Sequence, residues 1–290
     1  MNKKRIIIYF VLVILFALYN FYFRPVEGNV LVTKEYKKSN AYINDLYMSN
    51  EYFKESLLSK DAYHMYEGII AASLDDKSTV TLKCTRDCAA DLLNSYYAVY
   101  LDHPELISFV GISAYRINRE NNTISYDNYG NLSTLKSFLG AKRIEREIDI
   151  IKKETKNMSD KEKIIYVYDY VASHQYDRIF TFTKSNQSAY SFFTGGSSVC
   201  AGFAKASQLI FQNIGINSYL VLSSTHMWNY VEYEGKYYVY DATMGASLRN
   251  KDNVHFYDGL GETTIHSTTG LYSDLYPKIE TDKLKDIFGL

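Results

Sequence analysis

Apolar positions open this chain as one block and afterwards settle into helical and strand rhythms. Lys3, Lys4 and Arg5 precede an apolar run over residues 6–23 that is broken only by Asn20, and Arg24 and Pro25 close it. At helical rise eighteen residues span roughly 27 Å, close to the hydrocarbon thickness of a bilayer. The run is longer than the apolar part of a cleaved signal, and its exit, Leu18-Tyr19-Asn20-Phe21-Tyr22-Phe23, offers no small-x-small cleavage site. Residues 1–25 are therefore expected to be a signal anchor, with basic residues holding the N-terminus in the cytoplasm and the rest of the chain outside. The alternative is a cleaved signal peptide and secretion.

Residues 26–40 are polar and read as a short stalk. From 41 to 101 the apolar spacing is helical, as in Tyr63, Tyr66, Ile69 and Ile70 and again in Leu92, Leu93, Tyr96, Tyr97 and Tyr100. Pro104 ends that pattern. Residues 107–117 and 123–126, joined through Asn121-Asn122, predict a β-hairpin. Residues 142–156 form a charged helix with an Ile144/Ile148/Ile151 stripe. Ser159 with Glu162 makes a capping box for the next helix, which runs through Ile165, Tyr168 and Val171. After a polar stretch at 181–188 and Gly195-Gly196-Ser197-Ser198, an apolar helix runs over residues 200–214 and stops at Gly215. Three strands are expected at 216–223, 226–233 and 236–241, with Glu234-Gly235 as a two-residue turn. The tail from 245 to 290 gives little pattern. The chain divides into an anchor (1–25), a mainly helical accessory region with a β-hairpin (26–150), and a C-terminal domain (151–290).

Composition changes this picture little. Hydrophobic residues are 47% and charged residues 22% of 290, enough apolar material for a real core. The net charge of −1 comes from interspersed signs, with no basic stripe, so nucleic acid is not an expected partner. Three cysteines, Cys84, Cys88 and Cys200, leave at least one thiol without an intramolecular partner.

Cys200 is the residue with chemistry. It opens an apolar helix directly after a Gly/Ser loop, where free backbone N–H groups and the helix dipole favour a thiolate and can hold a developing oxyanion. His226 and Asp241 complete the case. If Glu234-Gly235 is a two-residue turn, Tyr233 faces Lys236 and Trp228 falls opposite Asp241. His226, two residues from Trp228, shares its face, so imidazole and carboxylate become diagonal neighbours within reach of one hydrogen bond. A one-residue slip would separate them.

The stretches Ser198-Val199-Cys200-Ala201-Gly202-Phe203-Ala204, His226-Met227-Trp228-Asn229 and Tyr237-Tyr238-Val239-Tyr240-Asp241-Ala242-Thr243, with Tyr176-Asp177 upstream, resemble the core of the transglutaminase-like superfamily over roughly residues 160–245. The resemblance implies a papain-like α+β core in which a nucleophile helix packs on a short antiparallel sheet. It implies Cys200 as nucleophile, His226 as general base and acid, and Asp241 as the group that orients His226. The segment from Tyr96 to Glu105 resembles an accessory region that precedes such cores in exported bacterial proteins.

Gln187, Tyr190 and Trp228 are candidates for a second oxyanion donor or substrate contact, and Asn229 for support of the sheet or the loop near His226. Cys84 and Cys88 stand four apart; helical geometry at that spacing suits a disulfide poorly. His64, His103 and His174 read as structural or exposed, while His255 and His266 are possible borders of the cleft. No cofactor or metal is expected, calcium included. The expected function is attack on amide bonds through a thioester, preferentially with hydrolysis. Cross-linking acyl transfer and a catalytically silent surface-binding module are the alternatives. Protein or cell-wall peptide is the expected substrate, and the membrane a partner through the N-terminal helix.

Overall fold

A computed structural model describes residues 51–74, 79–84, 88–107, 111–129, 134–177, 186–195, 197–248, 257–261, 266–268 and 273–290. The expected membrane anchor and stalk lie outside these residues. Among the described residues, no helix is long and apolar enough to cross a membrane.

The first part pairs two helices with a three-stranded sheet. Helices α1 (Lys60–Leu74) and α2 (Cys88–Asp102) follow the helical spacing, but between them lies a strand, β1 (Thr79–Lys83). Its five residues alternate in burial, which is a strand rhythm too short to stand out within a helical stretch. Strands β2 (Gly111–Asn118) and β3 (Thr123–Tyr129) form the expected hairpin. Asn118 Oδ1 accepts from the N–H groups of Glu120 and Asn121 at 3.0 and 3.1 Å, and Asn122 takes a φ of 50°. The sheet order is β1-β3-β2, antiparallel throughout. Because Cys84 follows β1 and Cys88 opens α2, the helical i, i+4 geometry expected for them does not apply. Their Cα atoms are 5.5 Å apart and the two sulfurs are bonded.

The end of α2 is fastened to the chain before α1. The Asp102 carboxylate accepts from the N–H groups of Phe53 and Lys54, both at 3.0 Å, and from the Tyr66 hydroxyl at 3.0 Å. Tyr66 also meets His103 Nε2 at 2.7 Å, while His103 Nδ1 lies 2.6 Å from Glu105. Burial pushes Asp102 up to about 7 against the pull of these donors.

Helix α3 (Thr134–Thr155) carries the isoleucine stripe. Helix α4 (Asp160–Ala172) starts at the Ser159–Glu162 box, with both of its reciprocal bonds present. A short α5 (Ala189–Phe193) leads to α6 (Cys200–Ile214), which Gly215 terminates in the left-handed region at φ 79°. Strands β4 (Ser218–Leu222), β5 (Met227–Tyr233) and β6 (Lys236–Tyr240) form an antiparallel sheet in that order, followed by α7 (Ala242–Leu248) and α8 (Leu284–Phe288). The mixture of helices and two small antiparallel sheets is α+β.

Helix α6 occupies the centre. Residues 201–211 are all buried. One flank, with Phe203, Ala206, Leu209 and Ile210, joins a core built from α3, α4, α5 and Tyr240. The opposite flank, with the small residues Ala201 and Ala204, joins Leu220 and Met227 against α1, α2 and β1. Removing so much apolar surface from water on both sides holds the N-terminus of α6 in place.

Candidate active site

The loop ahead of Cys200 is held by its own polar groups. Tyr176 and Ser198 form a parallel bridge, in which the Asp177 N–H donates to Ser198 O at 2.8 Å. Asp177 Oδ2 accepts from Asn186 Nδ2 at 3.0 Å and from Ser197 Oγ at 3.2 Å. The Val199 N–H donates to Asn186 O at 3.0 Å, and the Ser198 and Ser191 hydroxyls meet at 2.9 Å. One turn into α6, a Cβ on Gly202 would lie 1.9 Å from Ser198 Oγ, so only glycine lets helix and loop approach this closely. No side chain caps α6, which leaves the positive end of its dipole beside the half-exposed Cys200.

The sheet supplies the other two groups. Glu234 and Gly235 have φ of 52° and 76°, the left-handed pair of a type I′ turn. Tyr233 therefore pairs with Lys236, and the register runs out to Asn229 opposite Tyr240. One step further, Asp241 leaves β6 beside His226, and His226 Nε2 lies 2.8 Å from Asp241 Oδ2. That nitrogen carries the proton, because an ionised carboxylate only accepts. Nδ1 is left for the Cys200 thiol, which is a side-chain hydrogen-bond partner of His226. Burial lowers the affinity of His226 for its second proton. The hydrogen bonds and charges of Asp241 and Cys200 overcome this and raise it to about 10.

Asp241 is buried yet ionised. Burial acts to raise its carboxyl, but hydrogen bonds from His226 and His266 together with their charges hold it well below the usual carboxylate range. Its Oδ1 accepts the Thr243 N–H at 2.9 Å, and its own N–H donates to Gly259 O at 2.8 Å. The second imidazole, expected only as a possible border of the cleft, is bonded into the site itself. His266 Nε2 lies 3.0 Å from the same Oδ2, with the residue fully enclosed. The patternless tail offered no periodicity or turn from which its register was readable. The ligand-capable atoms of His226, Asp241 and His266 lie within 4.8 Å of one another, a spacing a metal ion also accepts. Here both Nε2 lone-pair positions are taken by protons directed at one oxygen, so hydrogen bonding accounts for the cluster.

The remaining candidates are placed as follows. Trp228 is wholly buried, 5.8 Å and nearly parallel to His226 and 5.1 Å from His266, so it is a plate beneath the imidazoles. Its Nε1 has no hydrogen-bond partner among the described residues. Asn229 Nδ2 is spent on Ala204 O at 3.0 Å and Gln208 Oε1 at 3.3 Å, tying β5 to α6. Tyr190 packs its ring on α3, where a Cβ at Gly140 would come within 2.4 Å of it. Gln187 is half-buried next to Asn186. Tyr176 faces the thiol end of α6: its hydroxyl is pushed up by burial and by the charge of Cys200, and pulled down by the Cys200 backbone N–H. His64 is exposed, His103 is bonded within the α2 cluster, and His174 stacks 4.0 Å from Phe192. His255 lies outside the described residues. Lys205, buried on α6, sits 3.6 Å over the Tyr100 ring, and burial lowers it to about 7.

No family model matches this chain, and no curated protein matches it. A solved structure described as the crystal structure of a TGase is similar at 17% identity with a TM-score of 0.34. The likeness covers 60% of this chain and 52% of that one, so the chain spans about half of that protein's length. A superposition this loose decides neither fold nor activity; the site rests on its own geometry.

Proposed function

We propose that this chain is a transglutaminase-like enzyme that cleaves amide bonds through an acyl-thioester on Cys200. The observation that carries the reading is the Cys200–His226–Asp241 chain, with a thiol at an uncapped helix N-terminus, an imidazole bonded to it, and a buried carboxylate 2.8 Å from the far ring nitrogen. In the reaction the Cys200 sulfur adds to the amide carbonyl. The His226 imidazolium gives its proton to the departing amine as the C–N bond breaks. His226 then takes a proton from water as that water attacks the thioester, releasing the acid and restoring the thiol pair. Water is the preferred acceptor because Cys200 and His226 are both partly open to solvent. A lysine amine in the same position would make the product a cross-link.

The enzyme acts outside the cell on surface protein or cell-wall peptide, anchored by its N-terminal apolar run. The bonded Cys84–Cys88 pair supports this location, since such bonds persist in oxidising compartments. The test is to incubate the full chain, and its Cys200→Ala variant, with surface proteins and a labelled primary amine. Cys200-dependent fragment release supports hydrolysis, and amine incorporation replaces it with transfer. An iodoacetamide rate at Cys200 no faster than that of a free thiol, unchanged by His226→Ala, sinks the enzyme reading.

A further inference from the structure

Two imidazoles converge on one carboxylate oxygen, and the mechanism above uses only one of them. His226 Nε2 and His266 Nε2 reach Asp241 Oδ2 at 2.8 and 3.0 Å, while Oδ1 is held by the Thr243 N–H at 2.9 Å. An ionised carboxylate with three donors has a fixed plane, and the plane of Asp241 sets the direction in which His226 Nδ1 points. Remove His266 and the carboxylate keeps a single backbone donor besides His226, so its rotation about the Cβ–Cγ bond is less restrained.

We propose that His266 is a positioning residue of this site, one that aims Asp241, and through it His226, at the Cys200 sulfur. The assignment rests on the thiol chemistry proposed above. His266 is itself held by contact with Trp228 at 5.1 Å and with the His226 ring at 5.9 Å. The tail therefore supplies a working part of a site whose other members come from residues 200–241. The titratable groups around the carboxylate are the two imidazoles, with the Tyr168, Tyr176 and Tyr240 hydroxyls on the elements packed against it; Cys200 faces His226 from α6.

The test compares iodoacetamide alkylation of Cys200 across pH 5–10 in the full chain, in His266→Leu and in His266→Gln, with thermal unfolding of each. Leucine fills the space without a donor, whereas glutamine puts an N–H near the position of Nε2. The expected result for His266→Leu is a neutral-pH rate lower by roughly tenfold, about what the loss of one hydrogen bond to a charged group corresponds to. At the alkaline end, where the thiol ionises unaided, the rate should match wild type. Glutamine should restore most of the neutral-pH rate. A His266→Leu profile that overlays wild type, with only the melting temperature lowered, assigns His266 a purely structural role and overturns the proposal. So does a glutamine variant that folds but stays as slow as leucine. If leucine does not fold, His266→Ala takes its place beside glutamine: a lowered neutral-pH rate in alanine that glutamine restores supports the proposal, and an alanine profile that overlays wild type overturns it. A wild-type thiol with an ordinary profile instead removes the nucleophile reading itself.

Discussion

Gly202→Ala probes how tightly the loop ahead of Cys200 is fitted to α6. The new Cβ would lie 1.9 Å from Ser198 Oγ, 3.0 Å from Ser188 O and 3.2 Å from Ser191 Oγ. Ser198 Oγ can swing away, but only by giving up its bonds to Ser191 Oγ at 2.9 Å and Asn186 O at 3.2 Å. Ser188 O is backbone and has no rotamer to change. Overpacking of this kind costs about 1–3 kcal/mol, and a lost hydroxyl hydrogen bond about 1 kcal/mol more. Replacing a helical glycine by alanine returns about 1 kcal/mol. The net expectation is destabilisation by about 1–3 kcal/mol, read by urea denaturation. Thermal melting should fall by about 2–4 °C for each kcal/mol in a chain of this size. The loop displacement should also slow alkylation of Cys200. Ser198→Ala removes the closest atom, so in the double variant the two losses should be less than additive, by about 1 kcal/mol. A Gly202→Ala protein as stable as wild type, or strict additivity in the cycle, would show that the loop yields freely and that the close fit has no energetic meaning.

The His226–Asp241 pair makes a two-sided pH prediction. His226 is raised to about 10, so its contribution to stability is complete below its ordinary value of about 6.5 and is lost as pH rises through about 10. Asp241 is depressed, so its contribution is present above about 4 and is lost as pH falls through its lowered value. The stability gap between wild type and Asp241→Asn should be widest between about pH 4 and 6.5 and should close on both sides, measured by denaturant melts. A gap that is flat with pH refutes the coupling. Asn229→Ala removes the amide that joins β5 to the Ala204 carbonyl and Gln208, taking one donor from each of two buried acceptors. It should lose about 1–3 kcal/mol in the same melts, and a loss below 0.5 kcal/mol would make the strut ornamental.

Where local chemistry fixed a conformation, the sequence was readable. Ser159 with Glu162, Gly215 and Glu234-Gly235 each force a cap or a turn, and the last of these sets the register that brings His226 to Asp241. What stayed hidden depended on distant partners. β1 is a strand because β3 lies beside it, in a register from Thr79–Asp127 to Lys83–Thr123, and five residues carry too little periodicity to announce that. Cys84 and Cys88 meet because a strand end and a helix start come together, which spacing alone misjudged. His266 reaches Asp241 from a segment without rhythm, and only the folded packing against Trp228 brings it there.

The Gly259 carbonyl that accepts the Asp241 N–H, and the His266 ring beyond it, have a consequence in time. Chains are made from the N-terminus, and α6 with its thiol is extruded well before either residue exists. Until the tail arrives and docks, Asp241 lacks two of the partners that orient it, and Cys200 faces an unaimed imidazole. A chain still in synthesis thus holds Cys200 beside an imidazole that lacks its full set of supports, and the arrangement is completed only once the tail has docked.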